Sequence, residues 1–131
     1  MRVPPPVAEL IGIEFVRAEG GECEMRMEVE ERHSNPMGTV HGGILCDLVD
    51  AAMGMAFHST LVEGESFTTL ELKINFLRPF WVGPLAATGR VMSRGRTVGL
   101  TEAHVRDEHG RLIAHATSTC MTLRGDAAAG R

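Results

Sequence analysis

The residues best suited to chemistry lie at one junction between a loop and a helical segment, Asn35–Gly43. The first N–H groups of a helix have no intrahelical acceptor and lie at the positive end of the helix dipole. Donors at His41, Gly42 and Gly43 can therefore hold a developing oxyanion, and glycine lets a substrate carbonyl approach the backbone closely. A helix entry that needs flexible dihedrals explains the same glycine pair without any chemistry.

A second candidate is the carboxylate of Asp50, in the middle of the helical segment. Aspartate has a mediocre helix propensity, and burying its charge without a partner is costly. Its presence indicates a satisfied network or a functional site. Asp47 lies one turn earlier, and two carboxylates at i and i+3 tend to raise the pKa of one of them. We expect Asp47 to face water and Asp50 to be the functional carboxylate.

One long helix is predicted to carry these groups, between Gly43 and Leu61. Its apolar residues recur at helical spacing, and small residues occupy much of the remaining surface, so the helix is expected to be covered by sheet on several sides. The apolar positions are Leu45, Leu48, Val49, Ala52, Met53 and Ala56.

Strands are predicted on both sides of this helix, from alternation of apolar and polar residues. Before it, Ile11, Ile13 and Phe15 indicate one strand, and the segment Glu22–Glu30 indicates a second with its odd-numbered residues buried. After it, Leu70, Leu72, Ile74 and Phe76 are expected on one face of a strand, with Thr69 on the other. Three more strands are predicted at Leu85–Arg94, Thr97–Asp107 and Arg111–Leu123, a short helical turn at Val7–Leu10 and a frayed tail at Asp126–Arg131.

This order predicts an α+β fold in which an antiparallel sheet of about six strands wraps a single helix. The 131 residues suit one domain, residues 1–131. A net charge of −4 with scattered basic residues argues against nucleic-acid binding. Three widely spaced cysteines suggest reduced, buried thiols, and the absence of a signal peptide or spanning segment predicts a cytoplasmic protein without membrane contact.

Other catalytic classes lack their motifs in this sequence. We find no nucleophilic serine elbow, phosphate loop or dinucleotide fingerprint. The six histidines show no metal-ligand spacing. We therefore expect no metal and no cofactor.

The stretch Asn35-Pro36-Met37-Gly38-Thr39-Val40-His41-Gly42-Gly43, followed by Asp50, resembles the signature of hot-dog-fold thioesterases of the PaaI type. The resemblance extends over Thr69, the segment Leu72–Pro79, Gly83–Arg90, the turn Arg94-Gly95-Arg96 and Asp107–Ala114. It implies a hot-dog fold, in which a curled sheet wraps one helix, and hydrolysis of acyl-CoA thioesters.

Several residue roles are implied by this resemblance. The Gly42 N–H polarises the thioester carbonyl, and Asp50 acts as nucleophile or as general base on water. Thr69 matches the position of a Ser or Thr that orients water or the carboxylate, with Thr68 as the alternative. Asn35 and His41 resemble residues that shape the carbonyl site, His41 by structural hydrogen bonding.

Helix geometry limits these assignments. Eight residues separate Gly42 from Asp50, about 12 Å along the helix axis, which is too far for both to act on one carbonyl carbon. Similar hot-dog proteins are homodimers or dimers of dimers with sites at the interface. We therefore predict that Gly42 of one subunit faces Asp50 of its partner.

The remaining substrate contacts and the competing functions rest on less specific features. The turn Arg94-Gly95-Arg96 is a candidate for the CoA phosphates, although exposed arginines in hairpins are ordinary surface. A hot-dog hydratase or dehydratase needs an acid/base histidine paired with a carboxylate, for which His41 is the candidate. A non-catalytic acyl-CoA sensor is the third alternative, and the presence of both Asp50 and a threonine argues against it.

Overall fold

The structure is a computed structural model that describes residues 2–131. Two α-helices and six strands follow one another along the chain. They are α1 (Pro6–Ile11), β1 (Ile13–Glu19), β2 (Glu22–Val29), α2 (Gly42–His58), β3 (Ser66–Phe76), β4 (Gly83–Arg94), β5 (Val98–Asp107) and β6 (Leu112–Leu123). Short 3-10 turns span Glu31–His33 and Gly125–Ala128.

A single antiparallel sheet with the strand order β1-β2-β4-β5-β6-β3 curls around α2. The helix contacts all six strands, which confirms the predicted α+β arrangement of one long helix wrapped by a sheet. Within residues 2–131, no helix is both long enough and apolar enough to cross a bilayer.

The helix is held by complete burial of its predicted apolar face. Leu48, Val49, Ala52, Met53 and Ala56 are each 0% exposed. Burying side chains of this kind contributes about 1.5–3 kcal/mol for each large one, which is why the helix forms the centre of the core.

Close contact between helix and sheet depends on Gly89 in β4. A Cβ at this position would lie 2.5 Å from the backbone oxygen of Ala52. Only a residue without a side chain allows the strand to approach the helix backbone so closely.

The helix begins one residue before the predicted start and ends at His58, three residues before the predicted end. Two hydroxyl groups explain the earlier end. Ser59 Oγ donates to the carbonyl of Ala56 at 2.7 Å, and Thr60 Oγ1 donates to that of Phe57 at 2.7 Å. Side-chain donors thus satisfy the last helical carbonyls and replace a further turn.

The strand predictions hold best for β2, whose residues Cys23, Met25, Met27 and Val29 are all buried. In β1 the predicted strand is confirmed for Ile13 and Phe15, whereas Ile11 is the last residue of α1, and Phe15 is 47% exposed. The register of β1 against β2 shifts between Phe15 and Arg17, so the regular alternation stops there.

A β-bulge in β3 corrects the predicted faces of that strand. Thr69 pairs with Cys120 and Glu71 pairs with Thr119, so Leu70 is an extra residue without its own partner on β6. Leu70 is exposed and, contrary to the prediction from the sequence, does not share the face of Leu72 and Ile74. The bulge also changes the phase of alternation, and Thr69 faces the helix together with Leu72 instead of facing away from it.

The C-terminal segment is also more regular than predicted. It contains the 3-10 turn Gly125–Ala128 instead of being frayed throughout. The preceding residue, Arg124, anchors the segment because its Nε donates to Glu65 Oε2 at 2.8 Å.

Candidate active site

The N-terminus of α2 is capped by His41. The residue has extended backbone dihedrals, and its Nδ1 accepts the N–H of Gly43 at 2.9 Å. The N–H groups of Ile44 and Leu45 bond to the His41 carbonyl. Among residues 2–131 the N–H of Gly42 has no acceptor, so it alone of the glycine pair keeps a free donor at the positive end of the helix.

The cap limits what His41 and Gly43 can contribute to a substrate site. His41 serves a structural hydrogen bond, and no carboxylate in the described chain lies within ion-pair distance of it. Within one described chain, His41 therefore has no carboxylate partner of the kind that a hydratase needs. Gly43 has its N–H committed to the cap and does not present it to a substrate.

Asn35 shapes the loop that leads into the helix. Its Nδ2 donates to Thr39 Oγ1 at 2.9 Å, and its Oδ1 accepts the N–H of Met37 at 2.9 Å. The backbone of Asn35 also bonds to the Thr39 carbonyl, which closes a tight loop with Gly38 at φ 92°. The loop borders a pocket of about 330 Å³ that also includes Gly42.

Phe76, at the end of β3, covers Gly42. A Cβ on Gly42 would lie 2.8 Å from Phe76 Cζ, so a larger residue here would have to displace the end of the Phe76 side chain. From the sequence, Phe76 is expected only on one face of a strand, together with Leu72 and Ile74. It is 54% exposed, and its contact with Gly42 depends on the packing of β3 beside the start of α2, which alternation along the strand does not reveal.

Asp50 meets Thr69 across the space between α2 and β3. Thr69 Oγ1 donates to Asp50 Oδ1 at 3.1 Å, and Asp50 Oδ2 makes no hydrogen bond within the described residues. Thr68, the alternative, has no such contact and pairs with Met121 on β6. The carboxylate is half-buried and keeps one oxygen available for a reaction.

The neighbouring carboxylate, Asp47, is also half-buried and does not simply face water. Burial raises the pKa of Asp47, and the charge of Asp50 raises it further. The expected effect of two carboxylates one turn apart is thus found at Asp47. Asp47 lies outside the pocket lined by Asp50.

A group of buried polar side chains lies behind Thr69. The hydroxyls of Thr101 and Ser118 hydrogen-bond to each other, and Ser118 Oγ lies 3.8 Å from Cys120 Sγ. Burial raises the pKa of Cys120, while the hydrogen bond with Ser118 acts in the opposite direction. The thiol stays protonated near neutral pH and does not present a nucleophile.

The Asp50 carboxylate and the Thr69 hydroxyl border a second pocket, of about 270 Å³. Most of its wall is hydrocarbon, supplied by α1, β1, β2, α2 and β3. The apolar side chains in this wall include Ile13, Phe15, Met25, Met55 and Phe67. A carboxylate at the wall of an apolar pocket suits a substrate with a hydrocarbon or aryl group next to a polar reacting centre.

In one chain, the predicted site residues therefore fall into two groups. Asn35 and Gly42 border one pocket, whereas Asp50 and Thr69 border another. Because α2 is continuous from Gly42 to His58, the separation of about 12 Å along its axis applies to the folded chain.

The predicted phosphate turn is largely used within the protein. Arg94 lies over the ring of Phe57, 4.6 Å from its centroid, and its Nε donates to Thr60 Oγ1 at 2.9 Å. Gly95 closes the turn by donating to Val98 O at 2.9 Å. Arg96 is exposed, so its guanidinium is the more accessible of the two.

One group of side chains that could hold a metal ion was not recognised from the sequence. Glu102, His104 and His115 place one potential ligand atom each within 4.8 Å of one another. Part of the signal was in the sequence, because residues 102 and 104 share a strand face. The pairing of His104 with His115 follows from the register of β5 on β6, which shifts between Val105 and Arg106 and could not be counted from the predicted turn.

Comparisons with known proteins place these features in a family. A family model described as the thioesterase superfamily matches residues 37–114, a segment that includes Gly42, Asp50 and Thr69. Acyl-coenzyme A thioesterase 13 of Homo sapiens is 32% identical over 109 residues, which are 82% of this chain and 77% of that protein.

Solved structures agree in fold. A conserved protein of Pseudomonas aeruginosa superimposes with a TM-score of 0.87 at 33% identity, covering 91% of this chain and 94% of that one. The PaaI protein from the phenylacetic acid degradation operon of E. coli has a TM-score of 0.86 at 25% identity, covering 93% and 87%. The chain therefore belongs to the thioesterase superfamily and is a thioester hydrolase with the hot-dog fold.

Proposed function

We propose that the protein hydrolyses an acyl-CoA or aryl-CoA thioester to a free acid and CoA. The observation that carries this proposal is the Asp50 carboxylate, held by Thr69 at the wall of an apolar pocket. The relationship to the human acyl-coenzyme A thioesterase supports CoA as the thiol part of the substrate.

In this mechanism, the acyl group occupies the apolar pocket, and the thioester carbon lies near Asp50. Asp50 either attacks that carbon directly or takes a proton from an attacking water. In either route the carbon–sulfur bond breaks, and the CoA thiolate leaves and takes up a proton. After direct attack, water then hydrolyses the anhydride between the acyl group and Asp50, which releases the free acid and restores the carboxylate. Thr69 orients the Asp50 carboxylate by donating to Oδ1, which leaves Oδ2 to face the thioester carbon or the attacking water.

The carbonyl oxygen gains negative charge as the tetrahedral intermediate forms. The free N–H of Gly42, at the positive end of α2, is suited to stabilise it. Since Gly42 and Asp50 of one chain border different pockets, we propose that each site combines Gly42 of one subunit with the partner subunit's Asp50.

The edge strand β3 supports such a homodimer. It is 11 residues long, pairs only with β6 and lies at the end of the sheet. A long unpaired edge is a template for strand addition, and a second copy of the chain satisfies its free N–H and C=O groups. Assembly of two such dimers gives the dimer of dimers.

Two contacts of β3 within one chain support a position for the proposed twofold axis. Thr69 contacts Asp50 near one end of the strand, and Phe76 covers Gly42 at the other. Antiparallel pairing of two β3 strands centred near Leu72 brings the Phe76 end of one strand towards the Thr69 end of the other. That arrangement moves Gly42 of one subunit towards the partner subunit's Asp50.

The test is a thiol-release assay over aryl, short, medium and long acyl-CoAs with Asp50→Asn. We expect kcat to fall by about 10²–10⁴-fold, since the variant loses the carboxylate that attacks or activates water. Asp47→Asn is the matched control, because it removes the same charge one turn earlier on the same helix, and it should keep most activity. Undiminished turnover by Asp50→Asn would reject the mechanism, and tight CoA binding without turnover by the unmutated protein would favour a sensor.

A further inference from the structure

The outer face of the sheet, turned away from α2, carries a group of side chains that the proposed hydrolase does not use. His104 on β5 lies directly opposite His115 on β6. Glu102 precedes His104 by two residues and therefore projects from the same face. The intervening residue, Ala103, is fully buried towards the helix, so the three polar side chains face outwards.

We propose that Glu102, His104 and His115 form a binding site for a divalent transition metal ion such as Zn²⁺. One potential ligand atom from each residue lies within 4.8 Å of the others. The two imidazole rings are 4.9 Å apart between centroids, and His115 Nε2 is 3.0 Å from Glu102 Oε2.

These distances are close to what a tetrahedral ion needs. With metal–ligand bonds near 2.0–2.1 Å, two ligand atoms of a tetrahedral zinc site are about 3.3 Å apart. The His115–Glu102 pair already meets that spacing, and the side chain of His104 has to move by roughly an ångström or two. All three side chains are only half-buried, so rotation of χ angles suffices.

The chemistry of the ligands selects the ion. Two imidazoles and one carboxylate suit zinc, copper, nickel or iron, whereas Mg²⁺ and Ca²⁺ prefer oxygen ligands. Three protein ligands leave a position for water, and a pocket of about 260 Å³ beside His104 and Thr88 has room for one.

The two nearby arginines do not compete for the same space. Arg90 binds Glu102 through the other carboxylate oxygen, Oε1, with Nε at 3.1 Å and an Nη at 3.0 Å. That contact fixes the carboxylate and leaves Oε2 for a metal, as supporting residues do in metal sites. Arg106 extends towards the β5–β6 turn, where it donates to Gly110 O at 3.1 Å.

Isothermal titration calorimetry of the full chain with ZnCl₂ tests the site. We expect saturable binding of one ion per chain that is lost in both His104→Ala and His115→Ala. His109→Ala is the matched control, since this exposed histidine lies in the connecting turn and should leave Zn²⁺ affinity unchanged. Unchanged binding in both site variants, or no saturable binding in the unmutated chain, would overturn the proposal.

A second measurement needs no variant. Titration of the unmutated chain with Co²⁺ should give the visible absorption of a tetrahedral nitrogen- and oxygen-ligated ion, which Zn²⁺ abolishes. A near-ultraviolet thiolate charge-transfer band would assign the ion to a cysteine and overturn the proposal. Neither measurement depends on thioester hydrolysis, so the metal site and the proposed function succeed or fail separately.

Discussion

Asp50 and Thr69 belong to different elements, and their contact orients the carboxylate that we propose to be catalytic. Thr69 Oγ1 occupies one oxygen of Asp50 and thereby fixes the direction of the other. The hydroxyl is itself backed by Cys120, its register partner on β6, and by the buried pair Thr101 and Ser118. These packed neighbours limit the rotamers of Thr69, so the carboxylate is held in one orientation.

Removal of this hydroxyl is the sharpest single-residue test. Thr69→Val keeps the shape of the side chain but removes a hydrogen bond to a charged group, worth about 1.5–3 kcal/mol. If that bond acts in the transition state, kcat should fall by about 10–100-fold with CoA thioesters.

Thr68→Val is the matched control, because Thr68 is adjacent on the same strand and does not touch Asp50. Steady-state kinetics on both variants, with circular dichroism to confirm folding, give the comparison. A larger loss for Thr68→Val than for Thr69→Val would reassign the orienting residue.

At the scale of elements, close packing of α2 on β4 determines where the helix end and Asp50 lie. Gly89 permits that packing because a Cβ there would meet the backbone of Ala52 and Met53 within 3.0 Å. These backbone atoms cannot rotate away, as the end of a flexible side chain could.

We therefore expect Gly89→Ala to lower the free energy of unfolding by about 1–3 kcal/mol through overpacking. Urea unfolding followed by circular dichroism measures the change. Thr88→Ala, at the exposed neighbouring position, is the control and should have an effect within about 0.5 kcal/mol. Equal stability of Gly89→Ala and the unmutated chain would contradict the packing described for the helix.

The β5–β6 hairpin depends on Asp107, which closes its turn. Its Oδ1 accepts the N–H groups of His109 at 3.0 Å and Arg111 at 2.9 Å, and Oδ2 receives Arg111 Nε at 2.7 Å. Burial by itself raises the pKa of Asp107, but the Arg111 and His109 hydrogen bonds outweigh it, and the net pKa is lowered. The folded state therefore prefers the ionised carboxylate.

This preference gives a pH dependence of defined sign. The stabilisation is complete above the unfolded pKa, about 3.9 for aspartate. It is lost as the pH falls through the lower pKa of the folded state, because the native carboxylate must then be protonated. Asp107→Asn should thus be less stable at neutral pH and should lose less stability on acidification. Urea unfolding of both proteins between neutral pH and pH 2 tests this, and parallel pH profiles would contradict it.

For the whole molecule, the proposed division of the site between two chains leads to a complementation experiment. Gly42→Pro removes the proposed carbonyl donor, and proline suits this first helical position, since His41 already has extended dihedrals. Asp50→Asn removes the carboxylate. A heterodimer of the two variants contains one site with both Gly42 and Asp50 intact.

We expect each variant alone to be inactive and an exchanged equimolar mixture to recover about a quarter of the unmutated activity, as half of the dimers are heterodimers with one intact site. Gly42→Pro also adds carbon atoms next to Phe76. Gly42→Ala is the control for this steric effect, because it adds a Cβ but retains the N–H. No recovery in heterodimers confirmed by native mass spectrometry would contradict a shared site.

Much of this protein follows from local patterns in its sequence. Alternation fixed the buried face of β2, and the spacing of Leu48, Val49, Ala52 and Met53 predicted the central helix, because both signals arise from periodic burial. The hydrogen-bond donors at the start of the helix could also be predicted, since His41, Gly42 and Gly43 are adjacent in the sequence. The separation of about 12 Å between Gly42 and Asp50 along the helix axis could be predicted from helix geometry alone.

Tertiary structure decided what depends on pairing between distant segments. The bulge at Leu70 turns Thr69 towards Asp50, and it arises from the register of β3 on β6, which alternation in β3 alone does not contain. Three other contacts also depend on side-chain direction. His41 accepts the N–H of Gly43, Arg94 contacts Phe57 and Thr60, and Glu102 lies beside His115. Sequence periodicity specifies which face is buried, whereas register and rotamers, set by the packed fold, specify which atoms meet.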